Sequence, residues 1–481
     1  MGRASTLAIL TLTGSTAAWA AAAQTAAPVT QITPVEAANA QELAQARAAQ
    51  AERQAAAAQA RAARQAALAQ QPGSSILTAT VSQSIEADSN YNLDEDSPGT
   101  TYLGDTRFGL ILEQNTQSHD LILGFDTALR ALDEADEEFE FTLGSPTGAL
   151  LDYDFTGPRA NFDTLLSYRQ RRTDFIDFDS FDQIGSEDDP AVIRNEDDTR
   201  EHRLDGELGV ELATDSPSTY GLRWVGTDIS YSDDDDDDNL TPRRTNQFTG
   251  TWTLQVTPVF SSILAAEHYR YEADNDGETE ITISEIDAGI VYEPDENLRL
   301  RGGVGYADRQ RDEVNDDNDQ DDQGPTVRGD IRYLTDDLTL IGDARYTTAA
   351  PDPRLSFNLN ANYDLARGVL RGRVFNRYTG ATTDGNEIRV SGISIGLEQD
   401  FNTVSGYGID FAVTNRDDVD DEDDPDTLTT SVTARYIHNL TETVTAELGY
   451  RYRAETEDDP DFDADSHRVF FTIGKTFQTG L

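Results

Sequence analysis

Val444-Thr-Ala-Glu-Leu-Gly-Tyr-Arg-Tyr-Arg453 decides how the chain folds. Strand side chains alternate between two faces, so Val444, Ala446, Leu448, Tyr450 and Tyr452 share one face and Thr445, Glu447, Gly449, Arg451 and Arg453 the other. One face is apolar and the other charged. An acidic loop, residues 455–465, follows, and the chain returns through Val469, Phe471, Ile473 and Phe477. A hairpin greasy on one side and wet on the other is the signature of a transmembrane β-barrel wall.

The same pattern recurs upstream. From Ile76 onward strands return about every twenty residues. The clearest are Leu204/Leu208/Val210/Leu212, Phe248/Trp252/Leu254/Val256, Leu298/Leu300/Val304/Tyr306, Leu355/Phe357/Leu359/Ala361/Tyr363 and Leu428/Thr430/Val432/Ala434/Tyr436. Short connections such as Thr214–Ser218, Pro294–Glu296, Thr335–Asp337 and Asn439–Thr441 alternate with longer acidic ones at Ser232–Asn239, Ala273–Thr279, Asp312–Gly324 and Asp417–Asp426. Outer-membrane barrels have this asymmetry between periplasmic turns and external loops. Tyr271, Tyr306, Tyr346 and Tyr450 are expected in an outer aromatic belt, and Tyr292, Tyr333, Tyr363 and Tyr436 in an inner one. The expected fold is all-β: a transmembrane antiparallel up-and-down barrel over residues 76–481. It has twenty strands if residues 153–177 hold a hairpin turning near Asp163, and eighteen if that segment lies outside the wall. Residues 174–199 read as a long external loop.

Composition agrees. Among 481 residues there is one Met, no Cys, 26% charged side chains and a formal net charge of −53. Such a balance excludes a nucleic-acid partner, because phosphate binding needs a basic surface. The single lysine is Lys475, so the basic side chains are nearly all arginine.

The N-terminus reads as an export signal. Arg3 precedes an apolar run from Leu7 to Trp19 and small residues Ala20–Ala23, giving a signal peptide over 1–23. Residues 24–75 form a lead-in. Within it an Ala/Gln/Arg-rich helix is expected over about 36–70, stopped by Pro72-Gly73. That helix is a periplasmic spacer, part of a helical assembly, or a plug carrying Arg47, Arg53, Arg61 and Arg64 into the lumen. Export plus a barrel places the protein in the cell outer membrane, with outer-membrane lipid, lipopolysaccharide and the barrel assembly machinery as partners.

The opening strand Val81-Ser-Gln-Ser-Ile-Glu-Ala-Asp-Ser-Asn-Tyr-Asn-Leu93, the following Tyr102-Leu-Gly-Asp-Thr-Arg-Phe-Gly-Leu110, and the hairpin pattern as a whole resemble the bacterial outer-membrane family catalogued as beta-barrel porin 2. The resemblance implies an outer-membrane barrel. Some members are associated with exopolysaccharide systems. The stretch 153–177 and the Ala/Gln/Arg helix depart from the family pattern.

Assigning the aliphatics outward turns Arg299, Arg301, Arg371, Arg373, Arg435, Arg451, Arg453, Asp343, Glu398 and Glu447 into the lumen. These are the selectivity candidates, through a field across a water-filled pore; the simpler reading is that facing charges satisfy one another. In the acidic loops, Asp319 and Asp321 with Asp330 approach the spacing of a calcium loop, and Ca²⁺ or Mg²⁺ are the only cofactors to consider. The five histidines are scattered, with no zinc or Ser-His-Asp spacing, and Asp465-Ser466-His467 is a loop-to-strand junction rather than a hydrolase site. No enzyme is expected. The expected function is a passive porin-like channel for small solutes. The alternatives are an export conduit for an acidic exopolysaccharide, or a non-conducting structural or surface-binding barrel whose acidic loops hold cations.

Overall fold

In the computed structural model, the wall starts at Ser74. The structure describes residues 74–91, 93, 97, 99–116, 118–133, 140–172, 200–232, 242–273, 279–313, 320–350, 353–378, 388–418, 426–457 and 463–480. The stretches expected to form a signal peptide and a lead-in helix with Arg47, Arg53, Arg61 and Arg64, and the segment 174–199, lie outside the described residues.

Twenty strands follow one another. They are β1 (Ser74–Asp88), β2 (Thr101–Asn115), β3 (His119–Asp133), β4 (Glu140–Thr156), β5 (Ala160–Arg172), β6 (Arg200–Leu212), β7 (Ser218–Ser232), β8 (Arg243–Thr257), β9 (Phe260–Ala273) and β10 (Thr279–Tyr292). The second half comprises β11 (Leu298–Glu313), β12 (Gln320–Leu334), β13 (Leu338–Thr347), β14 (Arg354–Leu365), β15 (Gly368–Tyr378), β16 (Ile388–Asn402), β17 (Ser405–Asp418), β18 (Thr427–Thr441), β19 (Val444–Glu457) and β20 (Asp463–Gly480). Each strand pairs antiparallel with the next, and β1 pairs antiparallel with β20, from Ile76 opposite Gly480 to Asp88 opposite Arg468. The sheet therefore closes without an edge, as a wall in lipid requires.

Period-two alternation now has a geometric meaning. Ile85, Leu222, Ile286 and Val304 are each about 60% exposed and stand on one face. Arg130, Glu285 and Arg328, on the other, are at most 3% exposed. Only on the concave face of a closed sheet can side chains three strands apart meet, as Glu285 of β10 and Arg345 of β13 do. The charged face is the lumen and the apolar face the exterior. On β8, outward apolar side chains run from Phe248 to Val256, a span of about 27 Å at the usual rise per residue. That is the height of an outer-membrane apolar band.

Of the segment 153–177, residues 153–172 are in the wall, which makes the count twenty, and 173–177 lie outside the described residues; the turn is not at Asp163. The chain reverses over 157–159, where Gly157 N–H donates to Ala160 O at 2.9 Å. Gly157-Pro158 is the stronger turn signal. Asp163 instead sits within β5, opposite Asp154 and Gly209. The acidic stretch 312–324 is also shorter as a loop than expected: β11 runs to Glu313 and β12 starts at Gln320.

Two aromatic belts mark the rims. Tyr306, Tyr346 and Tyr450 stand outward toward the long connections, Tyr363 and Tyr436 toward the short turns, where the Tyr292 ring lies tilted against Phe260 at 4.8 Å. Tyr271 is the exception. Leu264 and Phe260 occupy the outward positions of β9, so the odd-numbered Tyr271 faces the lumen, 3% exposed, against Ile281. All five histidines lie outward in the belts. Each places Nδ1 within 3.0 Å of a hydroxyl: Tyr153 for His119, Tyr168 for His202, Ser284 for His268, Ser405 for His438 and Tyr450 for His467. Aromatic rings cover several wall glycines: Phe470 lies over Gly449, Phe375 over Gly392, and Trp224 over Gly206 and Gly226. This shields backbone where a glycine has no side chain of its own.

Candidate functional site

The lumen face is the candidate site, and its charges are organised in sectors. The densest spans β9 to β13. Arg328 of β12 donates from Nε to Glu285 Oε1 at 3.0 Å and from Nη2 to Glu267 Oε2 at 3.2 Å, with Asp287 3.7 Å from Nη1. Glu285 also accepts from Arg345 and from Thr326 Oγ1. Arg301 meets Asp287 at 2.6 Å and Asp330 at 3.6 Å. The intervening strand β11 makes room for this. Gly303 and Gly305 stand on its inner face, and a Cβ at Gly305 would come within 3 Å of Thr326 Oγ1, Ile286 O and Asp287 Cβ. The Gly302-Gly303-Val304-Gly305 run is thus a trough through which β12 reaches β10.

A second sector runs from β13 to β18. Glu398 receives Arg435 at 2.8 Å and Arg371 at 3.7 Å, and Arg435 also reaches Asp410 at 3.5 Å. Arg373 donates to Asn358 Oδ1 at 3.2 Å and lies 4.6 Å over the Phe375 ring. Asp343 stands between Asp330 and Asn358 in the register. Across the closure, Arg468 of β20 binds Asp88 at 2.8 Å and Glu86 at 3.1 Å of β1. Arg453 lies 3.6 Å from Glu455, and Arg451 donates to Thr433 Oγ1 at 3.1 Å. Glu447 shares this inner face, opposite Thr472. A fourth sector on β5 to β7 joins Arg171 to Glu201 at 3.0 Å, Arg203 to Asp205 at 2.9 Å and Arg223 to Glu207 at 2.5 Å.

All ten lumen candidates therefore stand on the inner face, in three clusters rather than one ring. Sequence reasoning missed the centre of the densest cluster, Arg328 with Glu267, Glu285 and Asp287. The signal was present, since Glu285 and Asp287 flank outward Ile286 and Arg328 follows outward Val327. The lumen is also not purely polar. Leu150, Leu165 and Val225 form an inward apolar island with Ile122, and Phe375, Ile388 and Val390 form another.

The calcium-loop spacing fails on geometry. Asp319 lies outside the described residues. Asp321 and Asp330 belong to one continuous strand, nine residues apart, which at the strand rise is about 30 Å. They cannot share an ion. Among the described residues no group of three or more His, Asp or Glu side chains is placed to hold a metal. The acidic runs 233–238, 316–319 and 419–424 lie outside the described residues. At the Asp465-Ser466-His467 junction, Ser466 Oγ turns inward to Asp88 at 2.5 Å while His467 faces outward, so the two make no dyad.

An edgeless sheet, an apolar exterior between aromatic belts and a charged interior define a transmembrane β-barrel of the outer-membrane type. No family model matches the chain, so the beta-barrel porin 2 resemblance rests on the residues quoted for it, and no curated protein matches either. Solved structures are similar at low identity. They include the FrpB iron transporter from Neisseria meningitidis, F5-1 variant in its apoprotein form (7% identity, TM-score 0.47, 86% of this chain and 82% of that one). The ferric-catecholate import receptor Fiu from E. coli K12 is similar at 9% identity and TM-score 0.41, over 83% of this chain and 81% of that one. OccK5 (OpdH) from Pseudomonas aeruginosa is similar at 8% identity and TM-score 0.36, over 84% of this chain and 98% of that one.

Proposed function

We propose that the protein is a porin-like outer-membrane channel that passes small solutes passively through a lumen of mixed arginine and carboxylate character. The observation that carries this reading is that the ion pairs between described lumen residues run along the wall. Among the described residues each ion pair joins strands no more than three places apart, the widest being Arg328–Glu267 and Arg345–Glu285. Twenty strands at about 4.8 Å spacing and about 40° tilt give a backbone perimeter of about 125 Å and a diameter of about 40 Å. Wall side chains do not bridge that width. The apolar band meets outer-membrane lipid, the paired charges set the field inside, and the reading assigns no reaction to the chain.

Planar-bilayer conductance of the mature protein, beside a version lacking residues 24–71, tests it. Steady conductance in the full-length form is expected. Conductance only after truncation would make the N-terminal segment a plug, and silence from both folded proteins would replace the channel with a structural or surface-binding barrel.

A further inference from the structure

At the short-turn rim, two arginines face each other across adjacent strands. Arg299 of β11 and Arg332 of β12 are direct register partners on the lumen face. Cross-strand partners stand about 4.5–5.5 Å apart at Cα, and like charges so placed repel. The facing pair Arg328 and Arg345 on this wall holds a carboxylate in common, Glu285. Arg299 has one, Glu293, at 3.0 Å. Arg332 differs: among the described residues its side chain makes no hydrogen bond or ion pair, and its other register neighbour is Ile341. The nearest lumen carboxylate on its own strand, Asp330, is engaged by Arg301.

The two arginines border a cavity of about 350 Å³. Pro258, the turn residues 293–297 and Leu298 complete its lining. That floor is held in place. Glu293 N–H donates to Val259 O at 2.9 Å, tying the turn to its neighbour, and Asp295 Oδ1 accepts from the N–H groups of Asn297 and Leu298 at 2.9 and 3.0 Å. Leu334 N–H donates to Asn297 O at 2.8 Å and anchors the end of β12 to the same turn. The cavity is therefore walled by hydrogen-bonded backbone.

We propose that Arg332, with Arg299 beside it, forms a binding site at the turn-side mouth of the lumen for a solute carrying one singly charged oxyanion. A guanidinium offers a planar fork of donors that matches two oxyanion oxygens, and a bound anion relieves the repulsion between the arginines. The lining sets the charge limit. Glu293 already neutralises part of Arg299, and Asp295 and Glu296 flank the cavity, so a second negative charge on the ligand is repelled. Ile341, lumen-facing and more than a third exposed, offers an apolar edge to the ligand's carbon skeleton. The site deepens the channel reading and rests on it only for delivery of solute through the lumen.

Saturation-transfer NMR on the full-length protein folded in detergent, with D-glucuronate, glucose 1-phosphate and D-glucose as probes, tests the site. Glucuronate is expected to bind saturably, glucose not at all, and glucose 1-phosphate more weakly than glucuronate. Arg332→Gln is expected to weaken glucuronate at least tenfold, with Arg332→Lys in between because it keeps the charge without the fork. Saturable binding unchanged in Arg332→Gln, or none to the parent protein, overturns the site; tighter binding of glucose 1-phosphate overturns the single-charge assignment. Conductance without glucuronate binding removes the site and leaves the channel. Binding without conductance does the reverse.

Discussion

Arg328 shows how one side chain holds a sector of the wall. Its guanidinium, 3% exposed as a residue, is shared by Glu267 and Glu285, with Asp287 close by. Removing one partner of a buried charge cluster leaves the others uncompensated, at a cost of about 3–5 kcal/mol. Arg328→Ala is expected to lose that much in a urea titration of the folded barrel; a loss under about 1 kcal/mol would mean lumen water solvates the carboxylates. Gly305 is the steric counterpart. A side chain there meets Ile286 O and Thr326 Oγ1 at under 3 Å, whereas a Cβ on the outward Gly302 meets nothing within 4 Å. Gly305→Val should destabilise by about 1–3 kcal/mol as an overpacked site, and Gly302→Ala should leave the same titration unmoved.

At the scale of the strand, the two faces make opposite demands. Leu359 of β14 is outward and opposite Gly342, while Asn360 is inward and opposite Arg373 and Ile341. Leu359→Arg puts a charge in the apolar band and should cost about 2–4 kcal/mol if it lies at the bilayer midplane. Asn360→Arg meets only a like-charged cross-strand neighbour, a cost of up to about 1 kcal/mol. Equal losses at both positions would reverse the assignment of the faces. Strand identity and facing were legible because period two is local. Tyr271 faces the lumen because the parity set by Leu264 runs unbroken along β9, and position near the loop does not override it. The chain does not turn near Asp163 because an acidic side chain alone does not reverse a strand, whereas Gly157-Pro158, six residues earlier, has the backbone chemistry for a turn. Charges three strands apart, as in Glu285 with Arg345, carry no local signal at all.

At the scale of the whole molecule, closure joins residues nearly four hundred positions apart. Gln83 of β1 is the register partner of Ile473 of β20. The chain has no cysteine, so Gln83→Cys with Ile473→Cys gives a clean probe. Oxidation is expected to link the pair, since antiparallel partners fall within disulfide reach, and the linked protein should run as a distinct band on a denaturing gel. Absence of the link in folded protein would mean the wall does not close there.

Sequence alone determined the all-β barrel, the alternation of short and long connections, and which face of most strands meets lipid, because each follows from side chains one and two residues apart. Tertiary structure decided the twenty-strand count, the placement of residues 153–172 in the wall, the separation of Asp321 from Asp330, the trough at Gly303 and Gly305, and the meeting of Arg299 with Arg332. Those depend on register between strands, and register is set only when every strand has found both neighbours and the sheet has closed.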